Sequence, residues 1–401
     1  MTTLRSLIRN LFPYKGYKLS VLESQEQVVI QLKSRRKTGN CPVCSKRSGN
    51  IEYEYTRRIR DLDIVGKACF LEFSQKKIRC SCSYRGLEKL EFVDSLRRVT
   101  RRMEAYVVSL CEKMSLKDVS LVTSLDWKSI KRIDLDYIKS TLPDISQINL
   151  RRIAIDEVAI MKGHKYVTII RDYDTGIVIR IFFSRCYEST TKALESLGKQ
   201  RLEGIEYASL DMWDPFIKAV KEKCPNAKLV FDKFHIVKKV NQALDKVRKK
   251  EFNSAEKEER KNMKHKRFII LKKQCNLKKN EREDLQRLMN LNTRLYKAYL
   301  LKEQIISVFD DKKSTFEQIK KRITSWFENV LSSGMDELCE VVNTMTRYLD
   351  GILNYFRYGM TNAIAEGFNT KINVIKRRAY GFADIEYFLL KICQSSMRRL
   401  A

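Results

Sequence analysis

No apolar run in this sequence approaches the roughly 18 residues that a membrane-spanning helix needs. The opening Met-Thr-Thr-Leu-Arg-Ser-Leu-Ile-Arg holds no signal-peptide core, so a cytoplasmic protein is expected. Acidic charge is in short supply, with 49 Asp and Glu against 79 Lys and Arg, a net charge of +30. Such a deficit points to a polyanionic partner, most often nucleic acid. There is no disulfide framework either. The 11 cysteines are scattered apart from one local group, the usage of a reducing compartment with mostly free thiols. What is present excludes disorder: 401 residues, 43% of them hydrophobic, can bury a full core and hold several domains. Buried strands in αβ order favour an enzyme acting on nucleic acid over a ribosomal or membrane-surface protein.

The chain is organised around Arg151-Arg-Ile-Ala-Ile-Asp-Glu157, which follows a Pro-containing linker, Thr141–Gln147. The apolar run with β-branched Ile153 and Ile155 reads as a strand buried on both faces, Arg152–Asp156. Asp156 then falls at its carboxyl end, where open α/β sheets hold their chemistry. A carboxylate there is costly unless a basic partner, backbone donors or a metal ion compensates it. A metal is expected. Glu157 points the opposite way on a strand and is left out.

Residues 1–95 read as a β module. It has strands at Gln27–Leu32 and Lys67–Phe73, and the pairs Cys41-Pro-Val-Cys44 and Cys80-Ser-Cys82. This is the layout of a zinc ribbon with Cys41, Cys44, Cys80 and Cys82 around a tetrahedral ion, the alternative being four unlinked thiols. Over 96–145 the pattern turns helical. Arg97–Arg102 opens a helix with Met103, Val107, Leu110, Cys111 and Met114 on its apolar face. Ser115 caps a second, and a third begins at Trp127. Lys128, Lys131 and Arg132 near its start suit a helix-turn-helix reading a DNA groove; a basic helical linker is the plainer alternative.

From 150 to 240 a three-strand meander with turns at Gly163 and Asp174-Thr-Gly176 gives way to alternating helix and strand. The strands are Arg152–Asp156, Tyr166–Arg171, Val178–Phe183, Tyr207–Leu210 and Leu229–Phe231; the helices run about 189–201, 213–223 and 233–250. This is the ribonuclease-H-like arrangement, in which the first and fourth strands are neighbours and Asp156 and Asp211 can share a cation. Asp214 is the alternative to Asp211. Asp232 and His235 follow the fifth strand, either supporting the site or filling a helix cap and a polar niche. Residues 241–355 read as an all-α insertion with a basic run, Arg260–Arg267. In 356–401, Ile364, Phe368, Ile372 and Ile375 share one helix face. Asn362, Glu366, Asn369, Asn373 and Arg377 share the other, and three Asn there suggest work other than helix stability. Lys371, Lys376 and Arg377 are candidate DNA-phosphate contacts.

The order zinc ribbon, helix-turn-helix, Ile-Asp-Glu, Leu-Asp-Met-Trp, Asp-Lys-Phe-His, and Thr-Asn-Ala-Ile-Ala-Glu-Gly-Phe-Asn with Ile-Lys-Arg and Tyr-Gly-Phe resembles insertion-sequence transposases of the ISL-three family. The resemblance covers nearly the whole chain and is most specific at 361–382. It implies a DDE triad of Asp156, Asp211 and Glu366 with the helical insertion between its last two members. Three carboxylates suit Mg²⁺ or Mn²⁺, and two ions could activate an attacking oxygen and stabilise a leaving one. The expected partners are double-stranded DNA, the terminal inverted repeats and target DNA, engaged by a homodimer assembled on DNA in the nucleoid. The other open function is a transposase-derived, sequence-specific DNA-binding protein that does not cleave. Cys80-Ser-Cys82 departs from the CxxC spacing of a regular ribbon.

Overall fold

Regular alternation of apolar and polar residues pairs the first third of the chain into one sheet. The computed structural model describes residues 10–94, 96–161, 165–360 and 363–397. Gly163 and Asn362 lie outside them, as does the side chain of Ile364. The chain forms two compact units, one through Thr141 with Arg378–Gly381, the other Leu142–Arg377 with Phe382 onward.

In the first unit, β1 (Tyr17–Glu23), β2 (Gln27–Ser34), β5 (Ile51–Ile64) and β6 (Lys67–Arg79) form a sheet in the order β1-β2-β6-β5. A short β7 (Arg85–Leu87) also pairs with β6, and β3 (Gly39–Asn40) and β4 (Arg47–Ser48) form a separate ribbon. β5 and β6 are a long hairpin whose two-residue turn, Val65-Gly66, has positive φ at both positions, the turn that matches strand twist. Val28, Ile30 and Leu32 of β2 meet Leu71 and Phe73 of β6 in its core.

Beyond the sheet come three helices, α1 (Arg101–Cys111), α2 (Leu116–Thr123) and α3 (Trp127–Thr141). Thr100 caps α1, and Ser115 forms a capping box with Asp118 at α2. The expected apolar stripe is largely realised: Met103, Val107 and Cys111 are buried with Val119, Ile130 and Ile133. Met114 is exposed, because α1 ends at Cys111. Fully buried Asp61 of β5 accepts from Thr100 Oγ1 (2.6 Å) and Arg102 Nε (2.7 Å), bonding the ribbon sheet to the start of α1.

The second unit is built on five strands, β8 (Arg152–Met161), β9 (Lys165–Asp172), β10 (Val178–Phe183), β11 (Tyr207–Leu210) and β12 (Lys228–Phe231), in the order β10-β9-β8-β11-β12. The first three are antiparallel, and β8, β11 and β12 are parallel. β8 runs five residues past its expected end, since Val158 and Ile160 continue the apolar pattern, so Asp156 sits within the strand. The helix expected at 189–201 is two, α4 (Tyr187–Glu195) and α5 (Lys199–Glu203), broken where Gly198 adopts φ +86°. Next come α6 (Asp214–Lys223) and α7 (Lys233–Ser254).

After β12 every regular element among the described residues is helical. The insertion comprises α8 (Lys257–Met263), α9 (Arg267–Leu271), α10 (Lys279–Leu291), α11 (Thr293–Asp310), α12 (Phe316–Ser332), α13 (Asp336–Arg347) and α14 (Leu349–Tyr358). One continuous core joins these helices to Ile153 and Ile155 of the sheet. Gly351 of α14 packs so near Phe231 that a Cβ would stand 2.3 Å from the ring, which leaves room only for glycine. The opposite sheet face, Val158, Ile160, Val167 and Ile169, is covered by α15 (Ala363–Arg378) and α16 (Ile385–Met397) through Phe368, Ile372, Phe388 and Ile392. No helix among the described residues is long and apolar enough to cross a membrane.

Candidate active site

The parallel register brings the acidic residues of the sheet into line. β11 pairs with β8 as Tyr207 with Arg152 through Ser209 with Ala154, so two residues further along Asp211 comes beside Asp156. β12 pairs with β11 up to Leu210 with Phe231, so the next position sets Asp232 beside Asp211. Three adjacent strands therefore carry an aspartate at the same level. Asp156 is 8% exposed and Asp232 5%, while Asp211 is half-buried.

Asp156 faces the side of the sheet that α15 covers, and Asn369 Nδ2 of that helix donates to its Oδ2 at 2.7 Å. Glu366 lies one turn earlier on α15, on the same polar face, and is exposed. The Asn369 bond thus ties the helix of the third acidic residue to the strand of the first. Phe368 and Ile372 are buried as expected, with Ile375 packed beside them. Among the described residues, no three carboxylates have ligand oxygens all within 4.8 Å of one another.

Electrostatics nevertheless couple these groups. Burial, then the charge of Asp211, raises the Asp156 pKa against the bonds from Asn369 and the Glu157 amide. Burial raises Asp232, with a contribution from Glu366. His235 Nε2 forms an ion pair with Asp211 Oδ1. Burial would lower the His235 pKa, but Asp211, then Asp156 and Asp232, hold it above its ordinary value. Such a group of mutually repelling, poorly solvated carboxylates fits a hard divalent cation, which prefers oxygen donors.

Several neighbours have other roles. Asp214, the alternative to Asp211, takes a hydrogen bond from the Tyr348 hydroxyl at the start of α6. Glu157 is half-buried, and its pKa is raised by burial and by Asp211, against the lowering effect of Arg185 3.5 Å away. Sequence reading missed Arg185, whose guanidinium stacks over Trp213 (4.7 Å) and Tyr166 (5.4 Å). Its only signal was a basic residue just after β10.

The four ribbon cysteines do converge. Their sulfurs all lie within 4.8 Å of one another, with Cys41–Cys82 at 3.6 Å and Cys44–Cys80 at 3.5 Å. Sulfurs about 2.3 Å from a tetrahedral zinc ion lie roughly 3.8 Å apart, so the four fit zinc. The CxC spacing is accommodated by a knuckle one residue shorter. Cys41 N–H donates to Lys46 O and Cys80 N–H to Tyr84 O, and Ser45 and Ser83, each following the second cysteine of its pair, both have positive φ. The Cys82 backbone N–H and the neighbouring thiols lower the Cys80 thiol to about 6, against burial.

Of the candidate DNA contacts, Lys128 and Arg132 are exposed on α3 and Lys131 is half-buried there. Arg377 is exposed on α15. Lys371 and Lys376 are half-buried, and their ammonium groups donate to backbone carbonyls, of Ser395 and of Ala159 (3.2 Å), so in this structure they brace α15.

Comparison with known proteins agrees along the chain. A family model described as "Transposase" matches residues 153–392. "Helix-turn-helix domain of transposase family ISL3" matches 88–138, and "zinc-finger of transposase IS204/IS1001/IS1096/IS1165" matches 37–82. The chain is 28% identical over 396 residues to the transposase for insertion sequence element IS1001 of Bordetella parapertussis, covering 97% of each. It is 26% identical over 352 residues to the transposase for insertion sequence element IS1557 of Mycobacterium tuberculosis, covering 81% of this chain and 78% of that one. With the transposase match spanning more than half of its length, the chain belongs to the ISL3 family of insertion-sequence transposases.

Proposed function

We propose that this transposase is a DDE enzyme on a ribonuclease-H-like core, binding transposon-end DNA, cleaving it and transferring the freed strand. The observation that carries the reading is the alignment of Asp156 and Asp211 on neighbouring strands, with Asn369 bonding the helix of Glu366 to Asp156. These three carboxylates would hold Mg²⁺ or Mn²⁺, which when bound activates the attacking oxygen and stabilises the leaving one. In cleavage, water attacks phosphorus in line and the P–O bond to the departing 3′ oxygen breaks. In transfer, that 3′ hydroxyl attacks a target phosphorus, the new P–O bond forming as the target strand's own P–O3′ bond breaks and its 3′ oxygen leaves as a hydroxyl.

The chain's own groups supply the setting. Asn369 orients Asp156, His235 holds Asp211, and Asp232 adds negative potential from the third strand. Arg185, its guanidinium over Trp213 and near Tyr166, is suited to a phosphate at the rim. On this reading α3 reads the terminal inverted repeat through Lys128, Lys131 and Arg132, with Arg377 on the backbone. The working form is a homodimer on DNA in the cytoplasm, also engaging target DNA. Replacing Asp156, Asp211 or Glu366 singly by Ala should abolish Mg²⁺-dependent cleavage of end DNA while leaving end binding intact. Full cleavage by any one variant removes that residue from the triad. A natural chain that binds end DNA but shows no metal-dependent cleavage would leave the alternative, a DNA-binding protein that does not cleave.

A further inference from the structure

The ribbon sheet carries a surface apart from the four cysteines and from the start of α3, bordered by Leu96 and Arg98 ahead of α1. On one face of β5, Tyr53, Tyr55 and Arg57 follow at the two-residue spacing of a strand, across from Lys77 and Gln75 of β6. Two adjoining grooves run over it, of about 340 and 460 Å³, sharing Tyr55 and Leu87. Arg57, Arg98 and Lys77 line them, and no acidic side chain does, while the Arg58 guanidinium lies over Phe70 and donates to Gln27 on the other face of the strand. Lys77 also pairs with Glu52 at 3.4 Å, at the edge of the surface.

The aromatic groups are held in advance. Fully buried Gln75 accepts from the Tyr55 hydroxyl at 3.2 Å and from Arg57 Nη1 at 2.6 Å. Tyr53 is 51% exposed, its ring 6.1 Å from that of Tyr55 and 5.3 Å from the Lys77 ammonium. At the other end Leu96, 85% exposed, lines the same groove as Arg98. Exposed rings at strand spacing inside a cationic groove form a stacking platform for unpaired bases, whose phosphates the flanking cations track. A duplex offers no base face to such rings.

We propose that this face of the ribbon sheet binds single-stranded DNA, with bases stacked on Tyr53 and Tyr55 and phosphates on Arg57, Arg98 and Lys77. The inference does not rest on the acidic site, so the Asp156→Ala protein should bind equally well. The test uses the full chain and short oligo-dT carrying 5-iododeoxyuridine, at salt high enough to suppress non-specific contacts. Photo-crosslinks mapped by mass spectrometry should fall on Tyr53 or Tyr55. Tyr53→Ala should weaken oligo-dT binding roughly tenfold while sparing a duplex. Tyr53→Phe, which keeps the ring, should bind like the natural chain, and Arg98→Ala should flatten the salt dependence. Crosslinks confined to other segments, or unchanged affinity in Tyr53→Ala, would overturn the proposal. Equal weakening for single strand and duplex would assign the face to duplex backbone instead. Loss of self-association in Tyr53→Ala with oligo-dT binding intact would assign it to a second copy of the chain.

Discussion

The cysteine site and the carboxylate site are both assembled from residues far apart in sequence, yet they reach different degrees of closure. The four thiols lie within ligand distance of one another, whereas among the described residues the three carboxylates do not. Charge explains the contrast. Two short knuckles with matching backbone bonds hold the four sulfurs, and the Cys82 backbone N–H offsets charge on Cys80. Burial raises Asp156, Glu157 and Asp232, the charge of a neighbouring carboxylate adds to each, and His235 offsets only part of that. One site is built for stability, and the other carries electrostatic stress of the kind that marks functional positions.

The largest effect that could break this comparison is removal of the ribbon metal. Structural zinc is worth about 10–16 kcal/mol to small modules, so a strong chelator or Cys41→Ser should unfold residues 37–82. Purified protein should carry about one equivalent of zinc. Zinc-free protein with the ribbon still resistant to proteolysis would leave four free thiols.

Asn369→Ala sharpens the other side. It removes the hydrogen bond from α15 to Asp156, and if Asp156 holds a metal, such supporting partners are commonly worth about 10–100-fold. Cleavage of end DNA should fall by that factor with end binding unchanged. An unaffected rate would mean that the helix is positioned by its apolar face alone.

Arg132→Ala should cost about 1–3 kcal/mol of binding to end DNA and less to scrambled DNA if α3 reads bases. Equal losses on the two duplexes would make α3 a backbone contact.

The smallest effect is on stability. The raised pKa of Asp156 means that its contribution favours folding at acid pH and is lost as pH rises through that raised value. In protein kept free of Mg²⁺ and Mn²⁺ without a chelator, Asp156→Asn should therefore be more stable than the natural chain at alkaline pH, by about 0.5–2 kcal/mol. The gap should close below the ordinary carboxylate range. Denaturant melts at several pH values test this, and an equal gap at every pH would contradict it.

Much of this arrangement was legible in the sequence, because periodicity and turn chemistry are local. The five strands of the second unit, the capped helices around Ser115 and the apolar stripe of α15 all follow from patterns within a few residues. The end of β8 was misjudged since Asp156 looks like a terminus, while Val158 and Ile160 carry the strand on against α15 and α16. The alignment of Asp232 with Asp211 depends on register, which no single strand encodes. Lys371 and Lys376 share a basic helix with Arg377, yet only packing shows that their ammonium groups turn back onto carbonyls.

The central claim is that Asp156, Asp211 and Glu366 converge on one cation site. Ferrous ion in place of Mg²⁺, with peroxide and ascorbate, cuts the backbone nearest to where it binds. The account predicts cuts around residues 156, 211 and 366 together, all lost in Asp156→Asn. Cuts confined to one of these segments, or a pattern unchanged by Asp156→Asn, would contradict it.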